Sequence, residues 1–385
     1  MSKSVLFVCY GLGIGGIEKC LVNLINQMKS EEFEIDVLLM NPEYELKKDI
    51  HRNVHYLDSY LYVMNTTTTM RNIKHHGGIL KNLNRFFKYI DFRVRVKLNK
   101  APWKSFDSIN KNYDIAIAYS QNDYSAYYVI DKVRATRKIL WYHNGAYEKS
   151  GKYLKRDKMY YNVFDYVVAV SSDCALNLQN KIGLSKNLIV LRNFYDTAEI
   201  IKLADNGIPE SFGLRMIHIV TVGRMTKEKG AQLAVDACQI LKKDGYNICW
   251  HWIGDGNQRS VIEKKIKDAH LEQIFILEGN QINPYPYIKN ADIYVQTSLY
   301  EAFSTTVTEA KVLGKPIVTT DVGGMRDQLI DKKTGIIVSI SAKAIAKGIA
   351  YILDNNYSQM LINNVLKDSE NQDNNWNKYL GSVFR

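Results

Sequence analysis

The chain has 385 residues, 46% of them hydrophobic and 24% charged, the composition of a globular protein of about two domains at ~100–200 residues each. These figures exclude a disordered chain, a collagen-like repeat and a disulfide-stapled miniature fold. The net charge is +11, and all of it lies in residues 1–195, which hold 29 Lys and Arg against 18 Asp and Glu, while residues 196–385 hold 22 of each. Such asymmetry points to an anionic surface or ligand facing one domain only.

In chain order, short apolar and β-branched runs alternate with stretches of helical period. The first series has runs at Val5–Cys9, Ile35–Met40, Ile115–Tyr119, Lys138–Trp141, Tyr166–Val170 and Leu188–Leu191, with helical patterns at Ile17–Met28 and Ala175–Lys181. The second has runs at Ile217–Val222, Ile248–Ile253, Ile274–Leu277, Ile293–Gln296, Pro316–Thr319 and Gly335–Val338. Helical patterns at Ala231–Lys242, Val261–Ala269, Thr306–Val312 and Ala342–Leu353 separate these runs. This alternation predicts an α/β fold of two doubly wound domains with parallel sheets. The predicted domains are residues 1–195 and 214–370, with 196–213 as a polar linker and 371–385 as a C-terminal segment. The cysteines Cys9, Cys20, Cys174, Cys238 and Cys249 form no Cys-x-x-Cys pair, so neither a disulfide framework nor a zinc site is expected. The start runs straight into a strand-like segment, and no run of 18 apolar residues occurs; a cytoplasmic protein is expected.

Ligands of open α/β sheets bind beyond the carboxyl ends of the strands, so the strand-to-helix junctions hold the candidates. After the first strand comes Gly11-Leu-Gly13-Ile-Gly15-Gly16-Ile-Glu18, which contains the dinucleotide spacing Gly11-x-Gly13-x-x-Gly16. The second strand ends Leu38-Leu39-Met40-Asn41, without the carboxylate that would hold an NAD ribose, which argues against a dehydrogenase. A tight strand–helix turn without any ligand is the plain alternative. In the second series, Gly223-Arg224 ends a strand and Lys229-Gly230 precedes a helix. Arg224 and Lys229 there could hold a diphosphate as a fork and a point charge, or could be solvated surface.

The sharpest feature is Glu301-Ala-Phe-Ser-Thr-Thr-Val-Thr-Glu309. A helix should begin between the two glutamates near Ser304–Thr306, and its free N–H groups form an anion site suited to a phosphate. Glu301 and Glu309 flank that position and could accept hydrogen bonds from sugar hydroxyls. Carboxylates beside a diphosphate require compensating cations, for which Arg224 and Lys229 are the candidates. Taken singly, Glu309 could be a helix N-terminal acid and Glu301 a solvated loop acid.

Together these segments resemble the retaining glycosyltransferases of the GT-B fold, in the GT4-like group (glycosyl transferases group 1). The resemblance rests on Gly15-Gly16-x-Glu18, Gly223-Arg224…Lys229-Gly230, Glu301-x7-Glu309 and Gly314-Lys-Pro-Ile-Val-Thr-Thr-Asp-Val-Gly-Gly324, in matching order. Trp376 also looks like the family's C-terminal tail. The resemblance implies two Rossmann-like domains facing a cleft, with a C-terminal helix crossing back to the first. It implies donor contacts from the Gly16 amide, from Arg224 and Lys229 to the nucleotide diphosphate, and from Glu309 to the ribose. Glu301, with the amides from Ala302 through Phe303 to Ser304, would grip the transferred sugar, and the Thr305 and Thr306 amides would meet the phosphate. Asn280 to Ile282 would cradle the base, and His143 would stand near the donor sugar and leaving phosphate. As a lone residue, His143 could equally be a packed strand-end histidine. Two departures are Ala302 and Ser304 where the family has glycines, and Arg192-Asn193-Phe194 where it has Pro-Asn-Gly. No Asp-x-Asp occurs, which suits chemistry with no metal and no cofactor besides the nucleotide-sugar substrate.

The expected activity is retaining sugar transfer from a nucleotide-diphospho-sugar, with UDP as the expected base, to a glycan or lipid-linked glycan in surface polysaccharide assembly. A GT-B-fold epimerase and a non-catalytic nucleotide-sugar or membrane-surface binding module remain open as alternatives. Residues 71–104 hold ten Lys and Arg against Asp91 alone. The helical spacing of Leu83, Phe86, Phe87 and Ile90 would let Arg85 and Lys88 flank an apolar stripe. An anionic membrane surface, on the inner face of the plasma membrane, and an ordinary core-facing helix both fit this pattern. Nucleic acid is disfavoured, because no nucleic-acid motif accompanies the charge.

Overall fold

The structure is a computed structural model describing residues 2–13, 15–41, 44–58, 79–120, 124–145, 147–213, 216–355 and 357–384, with side chains at 79–82, 369–380 and 382 left aside. Trp376 and residues 71–78 of the basic segment thus lie outside what is described. The chain divides into two compact units, Met1–Tyr195 with Phe384, and Asp196–Val383 with Arg385.

The first unit is built on strands β1 (Lys3–Cys9), β2 (Phe33–Leu39), β3 (His55–Leu57), β4 (Asn112–Ala118), β5 (Arg134–Tyr142), β6 (Tyr166–Ala169) and β7 (Leu188–Val190). They form one sheet in the order β3-β2-β1-β4-β5-β6-β7, and every pairing is parallel. A parallel sheet is covered on both faces, so its central strands read as continuous apolar runs. Val5, Leu6, Phe7 and Val8 of β1 are accordingly fully buried. Helix Gly16–Gln27 follows β1, and helix Ser172–Ile182 follows β6, with Ser171 capping it by accepting from Cys174 N–H at 3.1 Å.

The second unit carries β8 (Ile217–Val222), β9 (Ile248–Ile253), β10 (Phe275–Gly279), β11 (Ile293–Gln296), β12 (Ile317–Thr320) and β13 (Ile336–Val338), in the order β10-β9-β8-β11-β12-β13. All of these pair in parallel. Ile219, Trp250 and Trp252 pack into its core with Ala234, Val235 and Cys238 of helix Ala231–Lys243 and Ile345 and Ile349 of helix Ala342–Asp354. Both units are therefore Rossmann-like, as the strand–helix alternation implied.

Two expectations need correction. Residues 196–213 are not an irregular linker throughout, because they begin with helix Thr197–Ala204, whose N-cap Asp196 accepts from Glu199 N–H at 2.9 Å. The turn residues Asp205, Asn206 and Gly207 end that helix, and its Leu203 carbonyl accepts from Asn283 Nδ2 at 2.7 Å. The second concerns helix Ile79–Leu98. Leu83, Phe87 and Ile90 do not face the core, and they continue as Val94 and Leu98 in an exposed stripe. These five positions fall within about 80° of arc at 3.6 residues per turn. Phe92, on the opposite side, is the core residue, stacked on Phe106. Arg85 and Lys88 do not flank the stripe: Lys88 is turned toward Asp107, 2.5 Å away, and the exposed cations beside the stripe are Arg93 and Lys97. Among the described residues no helix is long and apolar enough to cross a membrane.

Candidate functional site

A doubly wound sheet opens its ligand crevice where successive connections diverge to opposite faces. In the second unit that point lies between the neighbours β8 and β11. Arg224 and Lys229 follow β8, and Glu301 with the helix Thr305–Val312 follows β11. The chemistry-bearing segments of this unit therefore converge on the one place in its sheet where backbone topology leaves room.

Lys229 and Glu301 meet there directly. The ammonium of Lys229 donates to both Glu301 oxygens at 2.8 Å each, and the Glu301 residue is only 9% exposed. Backbone packing holds the pair in place. Gly230 has φ +69°, and a Cβ there would lie 2.0 Å from the Thr297 carbonyl oxygen; the Thr297 hydroxyl in turn donates to the Lys229 carbonyl at 2.9 Å. The loop after β8 and the loop after β11 thus touch backbone to backbone. Arg224 is exposed at the start of the same turn. The neighbouring Glu228 carboxyl is held below its usual range, chiefly by a hydrogen bond from its own backbone N–H and then by the Thr226 side chain, with Arg224 and Lys229 adding to it.

Helix Thr305–Val312 begins as expected. Ser304 is its N-cap, and its hydroxyl accepts from Val307 N–H at 3.3 Å. The amides of Thr305 and Thr306 lie in the first turn, where a helix offers no internal acceptor. The Thr306 hydroxyl lies 3.2 Å from Gln296 Oε1, which ties the turn to the end of β11. Gln328, on the short helix Met325–Gln328, accepts from Ser304 N–H at 2.8 Å and donates from Nε2 to the Ser304 carbonyl at 2.8 Å and the Thr308 hydroxyl at 2.9 Å. One amide side chain therefore sets the position of the helix start.

Glu309 lies one turn in, buried, with the Tyr285 hydroxyl donating to Oε1 at 3.3 Å. Phe303 is buried, whereas Asn280 and Ile282 are exposed after β10, Ile282 at 82%. In the first unit, Gly16 opens helix Gly16–Gln27, and a Cβ on Gly15 would meet the Glu18 carboxylate at 2.2 Å. His143 follows β5 and is 6% exposed, with its ring 4.7 Å from that of Tyr119. Burial lowers its pKa to about 3, so the imidazole is neutral.

Four residues of this region carry little or no signal in the sequence. Gly254 follows β9 with φ +130°, and its Cβ position lies 2.2 Å from the Gly223 carbonyl oxygen; Gly256 similarly abuts Met225. The Gly-Asp-Gly spacing directly after a strand was the available signal. Gln328 and Tyr285 carry no local signal, because their partners are 24 residues distant.

Two Rossmann-like units, with a helix N-terminus, a lysine and paired carboxylates at the switch point of the second, define a protein of the GT-B class. Residues 211–368 match the family model for glycosyl transferases group 1. It is 25% identical over 198 residues to an uncharacterised glycosyltransferase of Methanocaldococcus jannaschii, a match that spans 48% of each chain. It is also 25% identical over 344 residues to the N-acetylgalactosamine-N,N'-diacetylbacillosaminyl-diphospho-undecaprenol 4-alpha-N-acetylgalactosaminyltransferase of Campylobacter jejuni, covering 88% of this chain and 87% of that enzyme. The crystal structure of Anabaena HepE in complex with UDP and glucose superposes with a TM-score of 0.73 at 15% identity, over 99% of both chains.

Proposed function

We propose that the protein transfers a sugar from a nucleotide-diphospho-sugar, with UDP as the expected base, to a hydroxyl of a lipid-linked glycan, with retention at the anomeric carbon. The observation that carries this reading is the first turn of helix Thr305–Val312 beside the Lys229–Glu301 pair, an anion site joined to a hydrogen-bond acceptor for sugar. An ammonium has three donors, so Lys229 can reach a phosphate while still touching Glu301. The phosphates lie against the Thr305 and Thr306 amides with Arg224 on their flank, and Glu309 accepts from ribose hydroxyls. Glu301, Phe303 and Ser304 hold the transferred sugar, and Asn280 and Ile282 border the base.

As the bond from the anomeric carbon to the phosphate oxygen breaks, the acceptor oxygen attacks from the same face and its proton passes to the departing phosphate. No side chain forms a covalent intermediate, and stabilisation of the departing diphosphate supplies most of the rate. Turnover is expected without added divalent cation. Two relatives support the choice of substrates, one named for a diphospho-undecaprenol acceptor and one crystallised with UDP and glucose. The exposed stripe of helix Ile79–Leu98 supports a peripheral position on the inner face of the plasma membrane.

Incubation with a panel of UDP-, GDP- and ADP-sugars, with and without glycan acceptor, tests the reading through nucleotide release. Acceptor-dependent release is expected from one donor class. Arg224→Ala should lower the rate by about 10²–10³ if the side chain acts as one oxyanion donor. Acceptor-independent conversion of the sugar, or near-wild-type transfer by Arg224→Ala, would overturn it.

A further inference from the structure

Among the described residues, the chemistry above leaves without a role a buried cluster of metal-ligating side chains formed by His218, Cys249 and His251. The β8–β9 register places His218 opposite Cys249 and Val220 opposite His251. Alternation along each strand turns all three side chains to the same face of the sheet. That face is opposite to the one carrying Ile219, Trp250 and Trp252. His218 and Cys249 are each the second residue of their strand, at the end remote from Gly223 and Arg224, so the cluster is separate from the proposed transfer site.

The outer nitrogens of both rings are already engaged. His218 Nε2 lies 2.9 Å from the Gly213 carbonyl oxygen, and His251 Nδ1 lies 2.8 Å from Glu278 Oε1. A carbonyl and an ionised carboxylate only accept, which places each ring proton on its outer nitrogen. The inner nitrogens, His218 Nδ1 and His251 Nε2, then face each other across 3.0 Å with a lone pair apiece. Two lone pairs at that separation require an electropositive centre between them. A shared proton would satisfy the nitrogens alone. A metal ion would also take Cys249 Sγ, since the three ligand atoms all lie within 4.8 Å of one another. Metal-bound histidines characteristically donate their other N–H to a carbonyl or carboxylate, and this pair has one of each.

We propose that His218 Nδ1, His251 Nε2 and Cys249 Sγ bind one borderline-soft divalent cation of the zinc class. At ~2.0–2.1 Å per nitrogen and ~2.3 Å for sulfur, the rings need to spread by a few tenths of an ångström, the Cys249 sulfur, which lies within 4.8 Å of both nitrogens, must close in on the ion, and a water molecule supplies the fourth ligand. Cys249 binds as the thiolate and its proton leaves to solvent. Phe212 stacks on His218 at 4.3 Å and 7° and lies 4.4 Å from His251, so the ion fastens the segment entering the second unit to β8, β9 and, through Glu278, β10. Its role is structural.

The test uses the full chain, stripped with a chelator and titrated with Co²⁺. One equivalent should produce a thiolate-to-cobalt charge-transfer band and tetrahedral d–d absorption, both abolished by Zn²⁺, and Zn²⁺ should raise the Tm. Cys249→Ser should lose the charge-transfer band, while Cys238→Ser, at another buried thiol, should keep it. X-ray absorption at the zinc edge of the wild type should show one sulfur and two nitrogens, a readout independent of whether the variant folds. A folded wild type with only weak octahedral cobalt absorption, a charge-transfer band that survives Cys249→Ser, or a zinc shell without sulfur would overturn the proposal.

Discussion

At the scale of single residues, burial decides what a polar side chain can do. His143 is the clearest case, since burial alone lowers its pKa to about 3 from the ordinary 6.5. The unfolded chain takes up a proton there below pH 6.5 and the folded chain does not, so stability present at neutral pH is lost as the pH falls from 6.5 toward 3. Between pH 7 and pH 5 this one residue should cost on the order of 2 kcal/mol. Denaturant titrations at the two pH values should show a difference of that size between wild type and His143→Gln. An identical pH dependence in both would show that His143 is not held neutral. The Lys229–Glu301 pair behaves differently, because each partner makes the other's burial tolerable. Lys229→Met leaves a carboxylate in a mostly enclosed site, which is costlier than removing both charges. Lys229→Met should therefore destabilise the fold more than Lys229→Met combined with Glu301→Gln, and a double-mutant cycle measures the coupling. Both residues could be singled out from sequence because they stand at strand ends in a short, dense motif. His218 and His251 could not, since 33 residues separate them and only the β8–β9 register brings the rings together.

At the scale of elements, strands were far easier to read than the segments joining them. The twelve apolar runs all correspond to strands within a few residues, because strands buried on both faces need continuous apolar sequence. Among the described strands, His55–Leu57 alone matches no such run; it is an edge strand of three residues with no fully buried position. Helix Thr197–Ala204 is hard to recognise in the sequence because it buries only Ile200 and Ala204 and a strongly polar turn follows it. For the site, the consequential element feature is the close approach of the loops after β8 and β11. A Cβ at Gly230 would stand 2.0 Å from the Thr297 carbonyl oxygen, and φ +69° is itself unfavourable for any other residue. Gly230→Ala should then cost on the order of 1–3 kcal/mol from local strain and displace Lys229 from Glu301. A lower Tm together with weaker donor binding by calorimetry is the expected result. Unchanged donor binding in the folded variant would show that the loop contact does not position the site.

At the scale of the whole molecule, helix Ile79–Leu98 supplies six Lys and Arg against Asp91 to the basic half of the chain, and its two faces are unlike. Of the described cations on helix Ile79–Leu98, Lys88 is paired with Asp107 and Arg95 with Asp91, so they are spent on the fold. Arg93 and Lys97 are exposed beside the stripe Leu83, Phe87, Ile90, Val94 and Leu98. An exposed apolar stripe with cations along its margin suits an anionic bilayer better than open water. Each basic residue near such a surface contributes about 1 kcal/mol, and salt screens that attraction as the Debye length falls from about 10 Å at 0.1 M to about 3 Å at 1 M. The apolar contribution is not screened, which allows the two to be separated by sedimentation with vesicles. Wild type should sediment with anionic vesicles more than with neutral ones, and the preference should shrink with salt. Arg93→Glu with Lys97→Glu should abolish the preference, and Phe87→Ser should weaken binding to both vesicle types. Lys88→Glu should instead lower stability and leave the preference largely intact, because its charge is already committed to Asp107. Sedimentation that ignores lipid charge at every salt concentration would remove the membrane from this helix and leave the stripe to another partner.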